Sequence, residues 1–208
     1  NGEKYIKETI ESIQIQNFPH EIIVIDDISK DKTVEIAKSM NCKVIINNKH
    51  KGQVASKNTG IKEAKGNFWL TIDQDDLLVK NALEILYNEM QKDINNQIIM
   101  AQLKDFCSPD SPNEIKYCKP NAYWGILTGS TLFKKEIFNK IGLFREDMIT
   151  GDVIDLTNRL LKHNIEIKKI PFVSCQRRIH NANYGRTNKS DEYKDYAKNL
   201  RERIKLKV

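Results

Sequence analysis

Three carboxylates fall within four positions, at Asp73, Asp75 and Asp76, directly after the run Phe68-Trp69-Leu70-Thr71-Ile72. A run of aromatic, apolar and β-branched residues reads as a buried strand, and open α/β sheets bind their ligands at strand ends. Clustered carboxylates repel one another unless a cation sits between them, and ligation by oxygen alone suits Mg2+ or Mn2+. A solvated turn, with an Asp capping the helix that follows, is the alternative. A second acidic pair, Asp26-Asp27, ends the run Glu21-Ile22-Ile23-Val24-Ile25. A single carboxylate, Asp152, stands after Gly151 where a helical pattern begins, and it can serve as a proton acceptor or as a helix cap. His180 lies in a basic stretch with Arg177 and Arg178, whereas His20, His50 and His163 sit among lysines or turns and read as solvated.

The elements that must position these groups follow from periodicity. Tyr5, Ile6, Ile10 and Ile13 recur at helical spacing and predict a first amphipathic helix ending before Pro19. The strand 21–25 shows no alternation, as in a parallel sheet covered on both faces. Ser29, Asp31 and Thr33 offer caps for a helix through Met40, and Lys43 to Asn47 reads as a strand. Gly52 to Lys65 reads as a helix with Val54, Ala55, Asn58, Ile61 and Ala64 on one side and Gly66 as its stop. After the central strand come a helix over Asn81–Met90 and a strand over Gln97–Leu103. The alternation predicts an α/β domain with a mostly parallel sheet. Beyond a turn-rich loop at 108–113, Gly129–Phe133 reads as a strand, Lys134–Lys140 as a helix, and Ile165–Ile179 as strand-like around Pro171. Residues 190–208 carry Tyr193, Ala197, Leu200 and Ile204 as the stripe of a basic amphipathic helix, able to rest on an anionic bilayer or on its own domain.

Composition narrows the class. The 208 residues are 39% hydrophobic and 30% charged, values of a soluble globular domain that can bury a substantial core. No run of about 18 apolar residues is present, and Asn1 to Lys7 is polar and charged, unlike a signal peptide. The formal charge of +6 favours an anionic partner such as a nucleotide, a phosphorylated substrate or a lipid surface. No basic and aromatic platform for nucleic acid stands out. Cys42, Cys107, Cys118 and Cys175 show no ligand spacing and read as reduced thiols of a cytoplasmic protein.

Several spaced motifs resemble the family 2 inverting glycosyltransferases. In the nucleotide-sugar half they are Asn1-Gly2-Glu3-Lys4-Tyr5, Ile22 to Ser29, Lys57-Asn58-Thr59-Gly60-Ile61 and Asp73-Gln74-Asp75-Asp76. In the acceptor half they are Gly129-Ser130, Ile141-Gly142-Leu143-Phe144 and Gly151 to Leu156. The resemblance covers roughly residues 1–183. It implies a GT-A fold, the α/β nucleotide-diphospho-sugar transferase architecture. A domain over 1–189 would have a donor half to about 104 and an acceptor half over about 105–189. The resemblance implies that Asp27, with Asp26 beside it, accepts the N3–H of uracil. Asp75 would be the direct ligand of Mn2+ or Mg2+, with Asp73 near the ribose and the metal's waters. Lys57 would lie near the donor, and His180 in a loop closing over the donor phosphates. Asp152 would be the general base, a role a helix N-terminus suits because it favours a charged carboxylate. The activity implied is transfer from a nucleotide-diphosphate sugar, UDP-linked, to a glycan or lipid-linked hydroxyl. A GT-A domain that binds nucleotide sugar or a partner without turnover is the alternative. Relatives open with an apolar strand ending in Pro-x-Tyr-Asn and this sequence opens at that Asn, which implies that the strand lies outside the sequence given.

Overall fold

A computed structural model describes residues 1–126, 128–148, 151–184, 194, 195, 197, 198, 200 and 201. In chain order the elements are α1 (Ile6–Gln14), β1 (Ile23–Asp26), α2 (Thr33–Ser39), β2 (Lys43–Ile46), α3 (Gly52–Glu63), β3 (Phe68–Trp69) and β4 (Leu77–Leu78). There follow α4 (Ala82–Gln91), β5 (Ile98–Cys107), a 3-10 turn over Pro112–Tyr117, β6 (Tyr123–Trp124), β7 (Thr131–Lys134), α5 (Ile137–Ile141), α6 (Asp152–Lys162) and β8 (Lys168–Ile179). Most of residues 190–208, where the basic amphipathic helix is predicted, lie outside the described residues, Tyr193 and Ile204 of its stripe among them.

The architecture is α/β, but the sheet is not mostly parallel as the alternation of elements predicts. β1 and β2 form a parallel pair, and a separate six-stranded sheet runs β3-β7-β5-β8-β4 with β6 attached to β5. In that larger sheet only β5 and β8 pair in parallel, while β3–β7, β5–β7, β5–β6 and β4–β8 are antiparallel. The reason is β7, which comes late in the chain yet inserts between β3 and β5. The long apolar run after Asn67 is correspondingly shortened, since only Phe68 and Trp69 pair with β7. Pro171 is accommodated inside β8 because the pairing with β5 is irregular there: Met100 faces Lys169 and Gln102 faces Val173.

Alternation along β5 and β7 explains why the larger sheet buries both faces. Ile98 and Phe133 point to a cluster with Val54 and Ile61 of α3, Ile137 and Phe138 of α5, and Leu156 and Leu160 of α6. Their neighbours Ile99, Ala101 and Leu132 point the other way, onto Leu86 and Met90 of α4. Trp69 sits within the first cluster, its ring 5.6 Å from Phe133, 5.5 Å from Phe138 and 6.0 Å from Phe144. A third cluster joins Ile6 and Ile10 of α1 and Ala37 of α2 to Val24 and Val44 of the parallel pair. β1 and β3 thus belong to different sheets, and a continuous cleft of about 1470 Å3 reaches from the apolar slot between them, lined by Ile23, Ile25, Phe68 and Leu70, to the acidic residues that follow β1 and β3.

Candidate active site

All the residues singled out in the sequence, Asp26, Asp27, Lys57, Asp73, Asp75, Asp152 and His180, line that one cleft. They arrive from the end of β1, from α3, from the turn between β3 and β4, from the start of α6, and from the segment after β8. The acidic turn is closed by Asp76 N donating to Asp73 O at 3.2 Å. Thr128 Oγ1 donates to Asp73 Oδ2 at 2.6 Å, and Gln53 Nε2 lies 3.3 Å from Asp73 Oδ1. Asp75 Oδ2 accepts from His180 Nε2 at 2.8 Å. Since His180 Nδ1 accepts from Ala182 N at 3.2 Å, the proton belongs on Nε2, which makes the ring a donor to Asp75. Burial raises the pKa of Asp75, the His180 bond opposes that, and the Asp73 charge adds to it. Burial likewise pushes Asp76 well above the ordinary carboxylate range, with the charges of Asp73 and Asp75 adding to the effect.

Crowded, partly desolvated carboxylates of this kind fit a hard divalent cation. Among the described residues no three His, Cys, Asp or Glu side chains converge into a ready-made cage. Mg2+ and Mn2+ are commonly held by one or two carboxylates, with the remaining positions filled by substrate phosphates and water. Asp73 and Asp75 are the groups that could hold such an ion. Asp76 does something else: it is 2% exposed, and its Oδ1 accepts from Arg178 N at 2.9 Å, which fastens the turn to β8. Arg178 Nε also donates to Asp75 O at 2.9 Å, and its guanidinium is sandwiched 4.8 Å from the Tyr5 ring and 4.6 Å from the Phe106 ring.

The two acidic residues after β1 have separate tasks. Asp26 Oδ2 accepts from Ser29 N at 2.9 Å and shapes the loop before α2. Asp27 reaches further and caps α3, accepting from Lys51 N at 2.9 Å, Gly52 N at 2.8 Å and Asn47 Nδ2 at 2.8 Å, with His50 Nδ1 at 2.6 Å. Burial alone would raise its pKa, but these bonds outweigh it and hold the carboxyl below its usual range. The helix that Asp27 caps is thus α3 and not the adjacent α2.

Asp152 is the first residue of α6, after Gly151 as the N-cap, and among the described residues its side chain bonds to Lys57 and not to the helix N–H groups. It is 3% exposed. Its partner is Lys57 Nζ, 2.6 Å from Oδ2. Sequence reasoning missed Arg178, Thr128 and Asn183, whose Nδ2 donates to Asp75 Oδ2 at 3.4 Å, as supports of the acidic turn. The one local signal is at Thr128, a β-branched residue held at φ 47°, next to Gly129 at φ 74°. A Cβ on Gly129 would meet Cys175 Sγ at 2.8 Å, so the turn admits only glycine there. Its N–H donates to Thr71 O at 2.6 Å, which brings Thr128 to the acidic turn.

An α/β domain with acidic residues at strand ends around an open cleft has the architecture of the GT-A glycosyltransferases, and solved structures agree. The chain superposes on a mannosyltransferase from Pyrobaculum calidifontis, solved with GDP-Man and Mn2+, with a TM-score of 0.69 at 15% identity. That match covers 97% of this chain and 60% of that one. S. aureus TarS 1–349, solved in complex with UDP-GlcNAc, matches with a TM-score of 0.67 at 18% identity over 88% of this chain and 57% of that one. The family model for glycosyl transferase family 2 matches residues 1–146, and the chain belongs to that family. Curated relatives include an uncharacterized glycosyltransferase of Rickettsia typhi, 30% identical over 93% of this chain and 66% of its own length. A cholesterol galactosyltransferase of Borreliella burgdorferi is 32% identical over 73% of this chain and 44% of its own length. The chain therefore spans about two thirds or less of the length of these relatives. Among the described residues no helix is long and apolar enough to cross a membrane.

Proposed function

We propose that the protein transfers a sugar from a nucleotide-diphosphate sugar, UDP-linked, to a hydroxyl of a glycan or lipid-linked acceptor, with inversion at the anomeric carbon. The observation that carries this reading is the sharing of one cleft by two unlike groups. One is the acidic pair Asp73 and Asp75, suited to a cation; the other is a single buried carboxylate, Asp152, suited to a proton. A bound Mg2+ or Mn2+ would neutralise charge on the departing diphosphate. Asp75 and Asp73 would hold the ion, with His180 keeping Asp75 oriented. Asp26 and Asp27 would line the nucleotide end, where Asp27 would accept uracil N3–H in place of the exposed His50.

Asp152 would act as the base. The acceptor hydroxyl gives its proton to the Asp152 carboxylate while its oxygen bonds to the anomeric carbon. The bond from that carbon to the phosphate oxygen breaks, and its electron pair leaves with the nucleoside diphosphate. Support for the donor class comes from the family and from the neighbours solved with UDP-GlcNAc and GDP-Man. The test is a melting-temperature screen of UDP-GlcNAc, UDP-glucose and GDP-mannose in Mn2+ and in EDTA, followed by detection of released nucleoside diphosphate. Stabilisation by one donor in Mn2+ together with its turnover supports the reading. A protein that binds a donor without ever turning it over is a binding module, and that result overturns the catalytic reading.

A further inference from the structure

Lys57 crosses from α3 to Asp152, and the two side chains are 9% and 4% exposed. Two charges buried this far are tolerated because they pair closely; removing either leaves the other uncompensated. The pair is also held from behind. Asn58, 2% exposed, donates through Nδ2 to Phe144 O at 2.8 Å and to Glu146 Oε1 at 3.0 Å, while its Oδ1 accepts from Phe144 N at 2.9 Å. These bonds tie α3 to the segment that precedes α6. The Phe144 ring centre lies 5.8 Å from Lys57 Nζ, so the ammonium rests between a ring and a carboxylate. On Asp152, Oδ2 takes the ammonium, and the described residues make no hydrogen bond to Oδ1.

We propose that Lys57 is a positioning residue for Asp152 and not a ligand of the donor. By holding Oδ2 it selects one orientation of the carboxylate and leaves Oδ1 to receive the acceptor's proton. This inference rests on the reading of Asp152 as the base. In the transfer step the hydroxyl proton moves to Oδ1, the oxygen–carbon bond forms, and the carbon–phosphate-oxygen bond breaks with its electron pair going to the diphosphate. The ammonium stays protonated throughout and keeps its contact with Oδ2. Orientation of this kind matters because a displacement of about 1 Å in a reacting group costs about 10²-fold in rate.

A double-mutant cycle in the full-length protein tests this. The probe is whichever of UDP-GlcNAc, UDP-glucose and GDP-mannose stabilises the protein most in Mn2+, and the readout is release of nucleoside diphosphate. Lys57→Met is expected to lower kcat about 10²-fold with donor KM within about twofold, and Lys57→Arg to keep most of the rate. Added to Asp152→Asn, Lys57→Met is expected to cost no further factor, because it acts only through the carboxylate. A rise of about tenfold or more in donor KM, present in both backgrounds, overturns the inference while leaving the role of Asp152 intact. Near-normal turnover by Asp152→Asn overturns the role of Asp152 and the inference with it. Should Lys57→Met fail to fold with its carboxylate uncompensated, Asp152→Asn and the double variant carry the comparison. Equal turnover of those two supports the inference, and a further loss in the double variant overturns it.

Discussion

The acidic turn at 73–76 and the start of α6 both present carboxylates to the same cleft, and they are stabilised in opposite ways. At the turn, Asp73, Asp75 and Asp76 crowd one another, and burial with mutual repulsion raises the pKa of Asp75 and Asp76. The carboxylate oxygens there accept from Thr128, His180 and the N–H of Arg178, while the Arg178 guanidinium binds the Asp75 carbonyl. At α6 a lone carboxylate has its counter-charge built in, as Lys57 at 2.6 Å. Among the described residues no Lys or Arg side chain pairs with a carboxylate oxygen of the turn, which would leave those oxygens to a cation. The start of α6 settles its charge within the protein, as a group that must keep one orientation through a reaction requires. Cation and proton chemistry are separated by whether the fold supplies the positive partner.

Three experiments would break or sharpen this contrast. The largest effect belongs to Asp152→Asn, expected to lower transfer at least about 10²-fold with UDP affinity in Mn2+ unchanged. The side chain can still accept from Lys57 but leaves the ammonium without its counter-charge, so the stability cost is at most about 3–5 kcal/mol, read from thermal melting. Steady-state kinetics showing near-normal transfer would return Asp152 to a purely structural part. Next is the acidic turn, where UDP should bind at least about tenfold more tightly in Mn2+ than in EDTA, with Asp75→Ala removing the difference. Calorimetry that finds equal UDP affinity with and without metal in the unmutated protein would end the cation reading. The smallest effect is at Asp27, whose replacement by Ala should destabilise by about 1–2 kcal/mol through lost capping of α3. Its folded pKa lies below the unfolded value, so its contribution is present above about pH 4 and fades as pH falls through the folded value. Melting curves of the two proteins should therefore draw together as pH falls below about 4; a gap that does not narrow in acid would mean the loss is not one of charge.

Much of this was legible from local pattern. The helices at 6–14, 52–63 and 82–91 follow from apolar spacing, and the carboxylates at 26–27 and 73–76 are placed by the apolar runs before them. Those signals survive because burial imposes the same period on neighbouring residues wherever the element packs. Family motifs then marked Lys57, Asp152 and His180, and the cleft contains all three. What each does to the others was not legible. Asp27 caps a helix that begins 25 residues later, and Arg178 fastens a turn 102 residues earlier.

By itself the sequence determined most of the helices and the longer strands, though not the short β4 and β6, and which apolar runs are followed by acid, since those depend on neighbours a few positions apart. Strand direction in the larger sheet, the insertion of β7 between β3 and β5, and the closure of Lys57 on Asp152 across 95 residues were decided only by the tertiary structure. Each of those contacts requires two distant segments to bury their surfaces together, and no local period in the chain encodes which segment the partner will be.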